Sequence, residues 1–111
     1  TIAENVEDLV VLCSGTEGKI SLDDILGGGS IIYHINQLSC GQNQANQMND
    51  AAFIAQSMYL QFRDDLEKGL HQAAHGRKLT SMGRGKDLHY CSQEAIIAAV
   101  PEMVQGKLVL K

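Results

Sequence analysis

Two adjacent carboxylates, Asp23 and Asp24, stand at the start of a predicted helix, directly after Ser14–Lys19, a loop of small and polar residues. A helix N-terminus offers free backbone N–H groups and the positive end of the helix dipole, and both favour anions. Mg²⁺ commonly uses only one or two protein carboxylates and keeps several waters. The pattern is therefore able to hold a metal ion beside a phosphate that the loop binds.

The same residues also fit a structural role. Ser21 and Asp24 form an S-x-x-D capping signature, and Asp23 can complement the helix dipole. Neighbouring helix residues point about 100° apart, so one carboxylate can cap while the other faces a ligand. Spacing alone favours the structural role and leaves the metal-binding role open.

Two histidines, His71 and His75, lie at i, i+4 on one predicted helix face in the string HQAAH. This spacing suits a shared metal, but Gln72 stands where a zinc protease needs its general-base Glu. We therefore exclude the protease and predict solvated or hydrogen-bonded histidines. His75, just before Gly76-Arg77, can alternatively be a polar group at a helix end that points into a site.

A basic, glycine-containing loop runs from Gly83 to Asp87. Its N–H groups and the cations of Arg84 and Lys86 can bind a phosphate or a sulfonate. The GxxxxGK spacing of a Walker A motif is absent, and a flexible charged surface loop is the commoner explanation. Cys13 can be a nucleophile near a helix N-terminus, although its place in an apolar run favours a buried structural cysteine.

The elements that position these groups follow from hydrophobic patterning. Leu9–Cys13 is a continuous apolar run, which predicts a strand buried on both faces of a parallel sheet. The helix that begins at Ser21 contains Gly27–Gly29, whose cost in a helix indicates that another backbone or a ligand packs against that face. Residues 36–49 are polar and predict a flexible loop.

A second helix is predicted to start near Asn49 or Asp50, with an apolar stripe at Ala51, Ala55, Met58, Tyr59, Phe62, Leu66 and Leu70. The rest of the chain is predicted to contain a short helix over Leu70–Leu79 ending near Gly76, a loop over Thr80–Lys86, a short helix or turn over Asp87–Gln93, and a final strand pair from Ile96–Val100 and Lys107–Leu110. Pro101 confines the first of these strands to a sheet edge or a strand end.

Composition narrows the class of protein. The 111 residues are 44% hydrophobic and 20% charged, with a net charge of −4, which argues against nucleic-acid or membrane-surface partners. Three cysteines without a CxxC motif signal neither a disulfide framework nor a zinc site. We expect a cytoplasmic α/β domain spanning residues 1–111, and the start at Thr1 suggests a processed or truncated chain.

Several segments resemble the 2-phosphosulfolactate phosphatase family. Cys13–Lys19 followed by Ser21–Asp24 is similar to the family's CAGTxGxxSLED-type segment. Further similar strings are Asn49–Ala52, His75–Leu79, Gly83–Leu88, Tyr90-Cys91 and Val100-Pro101. Their order and spacing are coherent over nearly the whole chain.

The resemblance implies a magnesium-dependent phosphoric monoester hydrolase. It would convert 2-phospho-3-sulfolactate to sulfolactate on the route to coenzyme M. The residues carried over are Asp24 and Asp23 as metal or water-positioning groups, His75 and Arg77 as catalytic candidates, Asp87 as a second metal ligand, Ser14, Gly15 and Thr16 as loop donors, and Arg84 and Lys86 as cations for the substrate.

The resemblance also implies that part of the protein is missing. Family members are about twice as long, and their N-terminal half has no counterpart here, so we expect the C-terminal part of a two-lobed α/β/α enzyme with helices packed on a mixed sheet. Its partners would be the missing half, a small anionic phosphorylated substrate and, in a homo-oligomer, a second copy of the chain. A non-catalytic module that binds an anionic metabolite, or a structural packing half, are the alternatives.

Overall fold

The computed structural model describes residues 8–39 and 47–110. In these ranges the elements are α1 (Leu22–Ser39), α2 (Asp50–Phe62), α3 (Leu66–Gln72), α4 (Ala74–Ser81), α5 (Gly85–Cys91), β1 (Pro101–Val104) and β2 (Lys107–Leu110). The helices pack on one another, with α1 and α2 forming the most extensive pair. The described residues thus combine helices with a small antiparallel sheet, and to that extent the predicted α/β class is confirmed. None of the described helices is long and apolar enough to cross a membrane.

The α1–α2 pair holds most of the core. Asn49 caps α2, because its side chain accepts a hydrogen bond from the Ala52 N–H at 2.8 Å. Ala55, Tyr59 and Phe62 are buried, and Leu26 of α1 is buried with them. The predicted start of α2 is thus confirmed, and the predicted apolar stripe is buried at Ala55, Tyr59 and Phe62, partly buried at Met58 and exposed at Ala51.

Gly29 lets the two helices approach to backbone contact. A Cβ at this position would overlap the carbonyl oxygen of Ala55 and lie 2.9 Å from the Cβ of Tyr59. Gly27 has open space where its Cβ would be. The prediction that a backbone packs against the glycine-rich face is confirmed, and Gly29 is the residue that requires it.

The predicted flexible loop over residues 36–49 is wrong for residues 36–39, which are helical. Helix α1 continues to Ser39, where the Ser39 hydroxyl donates to the Ile35 carbonyl at 3.0 Å. Within the helix, the Asn36 amide donates to Gln56 Oε1 of α2 at 2.6 Å, so this polar residue links the two helices. Residues 40–46 lie outside the described residues.

The second predicted helix breaks before Leu70. It ends at Phe62, and α3 restarts after Asp65, whose carboxylate accepts from the Lys68 N–H at 3.1 Å. A second break at Ala73, with an extended ψ of 143°, separates α3 from α4. Gly76 therefore lies inside α4, where a Cβ would overlap the carbonyl oxygen of Leu70, and the predicted helix end there is wrong.

The predicted C-terminal turn regions also shift. The loop expected over Thr80–Lys86 is reduced to residues 82–84 between α4 and α5. The final strand pair exists, but β1 begins at Pro101, and the antiparallel register pairs Pro101 with Leu110 and Val104 with Lys107. Residues 96–100 precede the strand and are exposed.

The first predicted strand is not formed within the described residues. Residues 9–13 form neither a helix nor a strand, and Val10 and Leu12 are 85% and 91% exposed. The described sheet is an antiparallel hairpin, and the described helices pack on each other rather than on it. A mixed sheet covered by helices is thus not assembled from these residues alone.

Candidate functional site

The loop and the first turn of α1 form one compact unit, here called the loop–helix site and comprising residues 14–24. Thr16 and Lys19 exchange both backbone hydrogen bonds at 3.0 Å and close a tight turn. Gly15 has φ +70°, and a Cβ there would lie 2.5 Å from the Lys19 carbonyl oxygen. A side chain at this position would therefore open the turn.

Both predicted carboxylates belong to this unit. Asp24 Oδ2 accepts a hydrogen bond from the Gly15 N–H at 2.7 Å, which fixes the loop to the helix. The buried Ser21 hydroxyl donates to Asp23 Oδ1, and the Thr16 hydroxyl lies 3.4 Å from Ser21 Oγ. The side-chain partner of Ser21 is thus Asp23 rather than Asp24, so the expected S-x-x-D pairing does not describe this site.

The hydrogen bonds change which loop groups can meet a ligand. The N–H groups of Gly15 and Thr16, predicted as loop donors, already donate to Asp24 and Lys19. The first helical hydrogen bond of α1 runs from Ile25 N to the Ser21 carbonyl at 3.1 Å, so the amides of residues 22–24 precede it. Those amides, with the exposed Ser14, are the donors that the described contacts leave to a ligand.

The carboxylates also keep free acceptor atoms. Asp24 Oδ1 and Asp23 Oδ2 have no hydrogen bond or ion pair to any described residue. Oxygen ligands from one or two carboxylates suit Mg²⁺, which takes the rest of its shell from water. In residues 8–39 and 47–110 no group of three or more His, Cys, Asp or Glu side chains could hold a metal. The residues therefore fit a sparse magnesium site and not an all-protein cage.

The other predicted site residues lie on α4 and α5. His75 and Arg77 are on α4, which packs against α1, and the Arg77 guanidinium donates to the Gln72 carbonyl. Arg84 and Asp87 form an ion pair at 2.8 Å around the start of α5, and the neighbouring Lys86 is exposed. Because α5 packs on α3 and α4 but not on α1, the fold does not bring Asp87 to Asp24.

The two histidines of HQAAH do not share a helix face. His71 lies on α3 and His75 on α4, on either side of the break at Ala73. His71 Nε2 is 3.7 Å from a Glu67 oxygen, and His89 Nδ1 of α5 is 2.8 Å from the other. The predicted shared face is wrong, whereas the expectation of hydrogen-bonded or solvated histidines is confirmed for His71.

A polar cluster that the sequence did not reveal joins the C-terminal region to the helix pair. Glu94 accepts from the Ser30 hydroxyl at 2.5 Å and from the Tyr59 hydroxyl at 3.0 Å. Burial raises the pKa of Tyr59, and its hydrogen bond to Glu94 raises it further. The only signal in the sequence was a buried tyrosine whose hydroxyl needs a partner.

A second missed contact lies nearby on the same helices. The Arg63 guanidinium donates to the Tyr33 hydroxyl at 2.9 Å and lies 4.9 Å from the centre of that ring.

An open depression of about 380 Å³ also lies near the end of α2, and it contains none of the predicted site residues. It is lined by Gln61, Phe62, Asp64, Asp65, Lys68 and Gln72. The loop–helix site therefore remains the place where predicted residues converge.

Comparison with known proteins agrees with the resemblance seen in the sequence. The profile of the family described as 2-phosphosulpholactate phosphatase matches residues 1–106. The chain therefore belongs to this family.

Among curated relatives, a probable 2-phosphosulfolactate phosphatase of Thermosynechococcus vestitus is 33% identical over 105 residues, covering 95% of this chain and 43% of the relative. Probable 2-phosphosulfolactate phosphatases of Nostoc punctiforme, 36% identical over 86% of this chain and 39% of the relative, and of Pseudothermotoga lettingae, 30% identical over 95% and 43%, are also similar. The chain spans about 43% of the length of the first of these relatives.

Proposed function

We propose that this chain contributes the loop–helix site, as the C-terminal part, to a phosphatase that hydrolyses the phosphate ester of 2-phospho-3-sulfolactate to sulfolactate, as in coenzyme M biosynthesis. The observation that carries the proposal is the Gly15–Asp24 hydrogen bond of 2.7 Å, which places a loop of the family's segment beside two carboxylates. Membership of the family supplies the class of substrate.

Electrostatics support a bound cation. Asp23 and Asp24 are adjacent negative groups without an ion pair among the described residues, and the proposed substrate is itself anionic. Two adjacent carboxylates repel each other, and a cation bound between them would offset that repulsion. Mg²⁺ would be held by Asp24, with Asp23 beside it, and would supply charge neutralisation and polarisation of the phosphoryl group.

The chain's own residues then have distinct tasks. Asp24 orients the loop through the Gly15 N–H while its second oxygen faces the metal site. The amides of residues 22–24 and the Ser14 hydroxyl bind phosphate oxygens at the positive end of the helix dipole. Lys19, exposed at the end of the turn, offers a cation to the substrate.

His75, Arg77, Arg84 and Lys86 keep the roles that the family resemblance implies, on α4 and at the start of α5. Of these two helices only α4 packs on α1, so Arg77 is the preferred candidate for a second cation near the site. Its guanidinium has further N–H groups beyond the one that donates to Gln72. Asp87 has no part in this proposed metal site because Arg84 neutralises it on a helix that α1 does not contact.

The proposal is tested in a chimera in which this chain replaces the 105 matched residues of the Thermosynechococcus vestitus relative. Phosphate release from 2-phospho-3-sulfolactate is measured against Mg²⁺ concentration. Asp24→Asn should raise the Mg²⁺ requirement by more than the roughly 10–100-fold that loss of a ligand's hydrogen-bond partner costs. Asp50→Asn is the matched control, because Asp50 is also an acidic residue in the first turn of a helix.

The outcomes separate the roles of Asp24. A raised Mg²⁺ requirement in Asp24→Asn, with an unchanged requirement in Asp50→Asn, supports the metal site. An active Asp24→Asn chimera with an unchanged Mg²⁺ dependence would reduce Asp24 to a loop anchor. A folded chimera that binds the substrate equally well with and without Mg²⁺, and releases no phosphate, would favour the anion-binding alternative.

A further inference from the structure

The segment Leu9–Cys13 is apolar on both sides, and α1 contacts only one side, where Val11 is partly buried and Cys13 is still exposed, contrary to the expected buried cysteine. A Cβ at Gly28 of α1 would lie 3.4 Å from Val11 Cγ1 and 3.5 Å from Cys13 Sγ, so these two side chains face the helix. The Cys13 thiol also lies 3.6 Å from the Asp24 carbonyl. Val10 and Leu12, which alternate with them along the chain, are 85% and 91% exposed. This alternation is the period-2 pattern of a β-strand.

The backbone of the segment is as incomplete as its outer face. No described residue forms a backbone hydrogen bond with residues 9–13. When extended backbone is buried in a folded protein, its N–H and C=O groups pair with neighbouring strands. A buried group without a partner would destabilise the fold. A strand that is apolar on both faces is typical of the interior of a parallel sheet covered by layers on both sides.

We propose that Leu9–Cys13 is an interior strand of the complete family fold, paired and covered by the part of the family chain that lies outside the matched region. The length of the relatives identifies this occupant: the Thermosynechococcus vestitus protein matches over 43% of its length, which leaves more than half of its chain to supply strands and a covering layer. The inference rests on family membership and not on the proposed catalytic role.

Pairing of the proposed strand would affect the surroundings of the loop–helix site. Leu9–Cys13 leads directly into the loop of the loop–helix site, so the site lies at the carboxyl end of the proposed strand. Open α/β sheets bind ligands at this end of their strands. Pairing on either side would therefore place residues of the unmatched part next to Asp23 and Asp24.

Hydrogen exchange in the chimera tests the pairing. The amides of residues 10–12 should exchange at least about 100-fold more slowly in the chimera than in the 111-residue chain alone, as expected for ladder hydrogen bonds in a sheet interior. Protection of the α1 and α2 amides identifies a folded sample. Fast exchange of residues 10–12 in a folded chimera would overturn the proposal.

A binding measurement tests the covering layer separately. The chain is titrated with the left-out part of the relative, supplied as a separate polypeptide, and complex formation is followed by sedimentation. Leu12→Lys should weaken the complex about 100-fold, because a charge replaces a side chain that becomes buried. Met82→Lys, at an apolar residue that is also exposed, at 60%, but lies in the turn after α4, should change the affinity less than about 2-fold.

A second copy of the chain is the competing occupant. If the chain alone sediments as a dimer in which the amides of residues 10–12 are already protected, the proposal is overturned in favour of self-association. Equal weakening by Leu12→Lys and Met82→Lys would likewise overturn it, because the effect would then be one of general surface charge. Neither measurement depends on catalysis, so an inactive chimera does not decide this question.

Discussion

The α1–α2 helix pair and the segment of residues 8–20 that leads into it differ in how far their apolar side chains are buried. In the helix pair, Leu26, Ala55, Tyr59 and Phe62 are buried, and polar groups at its surface find partners on other elements. In the segment, Val10, Leu12 and Ile20 are each at least 85% exposed. The scaffold thus has its own buried core, whereas the segment that leads into the site leaves large apolar side chains exposed.

The largest expected effect lies at the centre of the helix pair. Gly29→Ala should lower the free energy of unfolding by about 3 kcal/mol, because its Cβ would overlap the Ala55 carbonyl and the two backbones would have to separate. Chemical denaturation of the chain, followed by circular dichroism, measures the change.

Gly27→Ala is the matched control for this substitution. Gly27 lies in the same helix with open space at its Cβ position, so alanine should stabilise the protein by up to about 1 kcal/mol through helix propensity. Changes of opposite sign in the free energy of unfolding at the two glycines would confirm that the close approach at Gly29 stabilises the helix pair. A destabilisation of similar size at both positions would contradict it.

A smaller effect is expected at the polar cluster that closes the pair. Tyr59→Phe removes the hydrogen bond to Glu94 and should cost about 1 kcal/mol at neutral pH. Burial raises the pKa of Tyr59 above 10.0 in the folded protein, so the unfolded chain loses this proton first as the pH rises. The stability that the protonated phenol provides is present below the ordinary pKa and is lost as the pH passes through the folded value.

The free energy of unfolding should therefore fall less steeply above about pH 10 in Tyr59→Phe than in the unsubstituted chain. Denaturation curves at several alkaline pH values measure the slope. Tyr90→Phe serves as the control, because Tyr90 is 56% exposed and its hydroxyl has no hydrogen-bond partner among the described residues. An unchanged slope in Tyr59→Phe would show that Tyr59 is not the group responsible.

The smallest effect on global stability is expected in the incomplete segment. Gly15→Ala introduces a Cβ 2.5 Å from the Lys19 carbonyl oxygen, yet the exposed loop can open locally instead of separating the core. We expect a change of less than about 1 kcal/mol in the free energy of unfolding. The Thr16 and Lys19 amides, which form the turn, should nevertheless lose their protection from hydrogen exchange.

Gly18→Ala separates the steric effect from the backbone effect. Gly18 has a similar φ of +73°, but its Cβ would meet nothing within 4 Å. The turn amides should therefore stay more protected in Gly18→Ala than in Gly15→Ala. A loss of global stability in Gly15→Ala as large as that in Gly29→Ala would remove the contrast between the two regions.

Local signals predicted the scaffold well. The Asn49 cap, the α2 stripe and the close approach at the glycine run each depend on residues within a few positions of one another. The breaks at residues 63–65 and at Ala73 were missed because periodicity continues across them while caps and packing of Gly69 against Leu26 interrupt the helix. The C-terminal strand began five residues later than predicted, at Pro101.

The site was predicted in outline but not in its contacts. Sequence placed Ser14–Lys19 beside Asp23 and Asp24, yet only the structure shows that Asp24 holds Gly15 while Ser21 contacts Asp23. The Glu94 contacts join residues 64 and 35 positions apart, which no local pattern encodes. The metal ligands and the roles of His75, Arg77, Arg84 and Lys86 stay predictions.

The consecutive glycines of α1 also determine how well the loop is held in place. Gly29 leaves no side chain between α1 and the Ala55 carbonyl, and the Gly28 backbone is the surface on which Val11 and Cys13 rest. Where main chain meets main chain, no rotamer can adjust to absorb a displacement. A sideways shift of α2 would therefore move α1 with it. Because α1 contacts Val11 and Cys13, the shift would also displace the loop that follows Cys13.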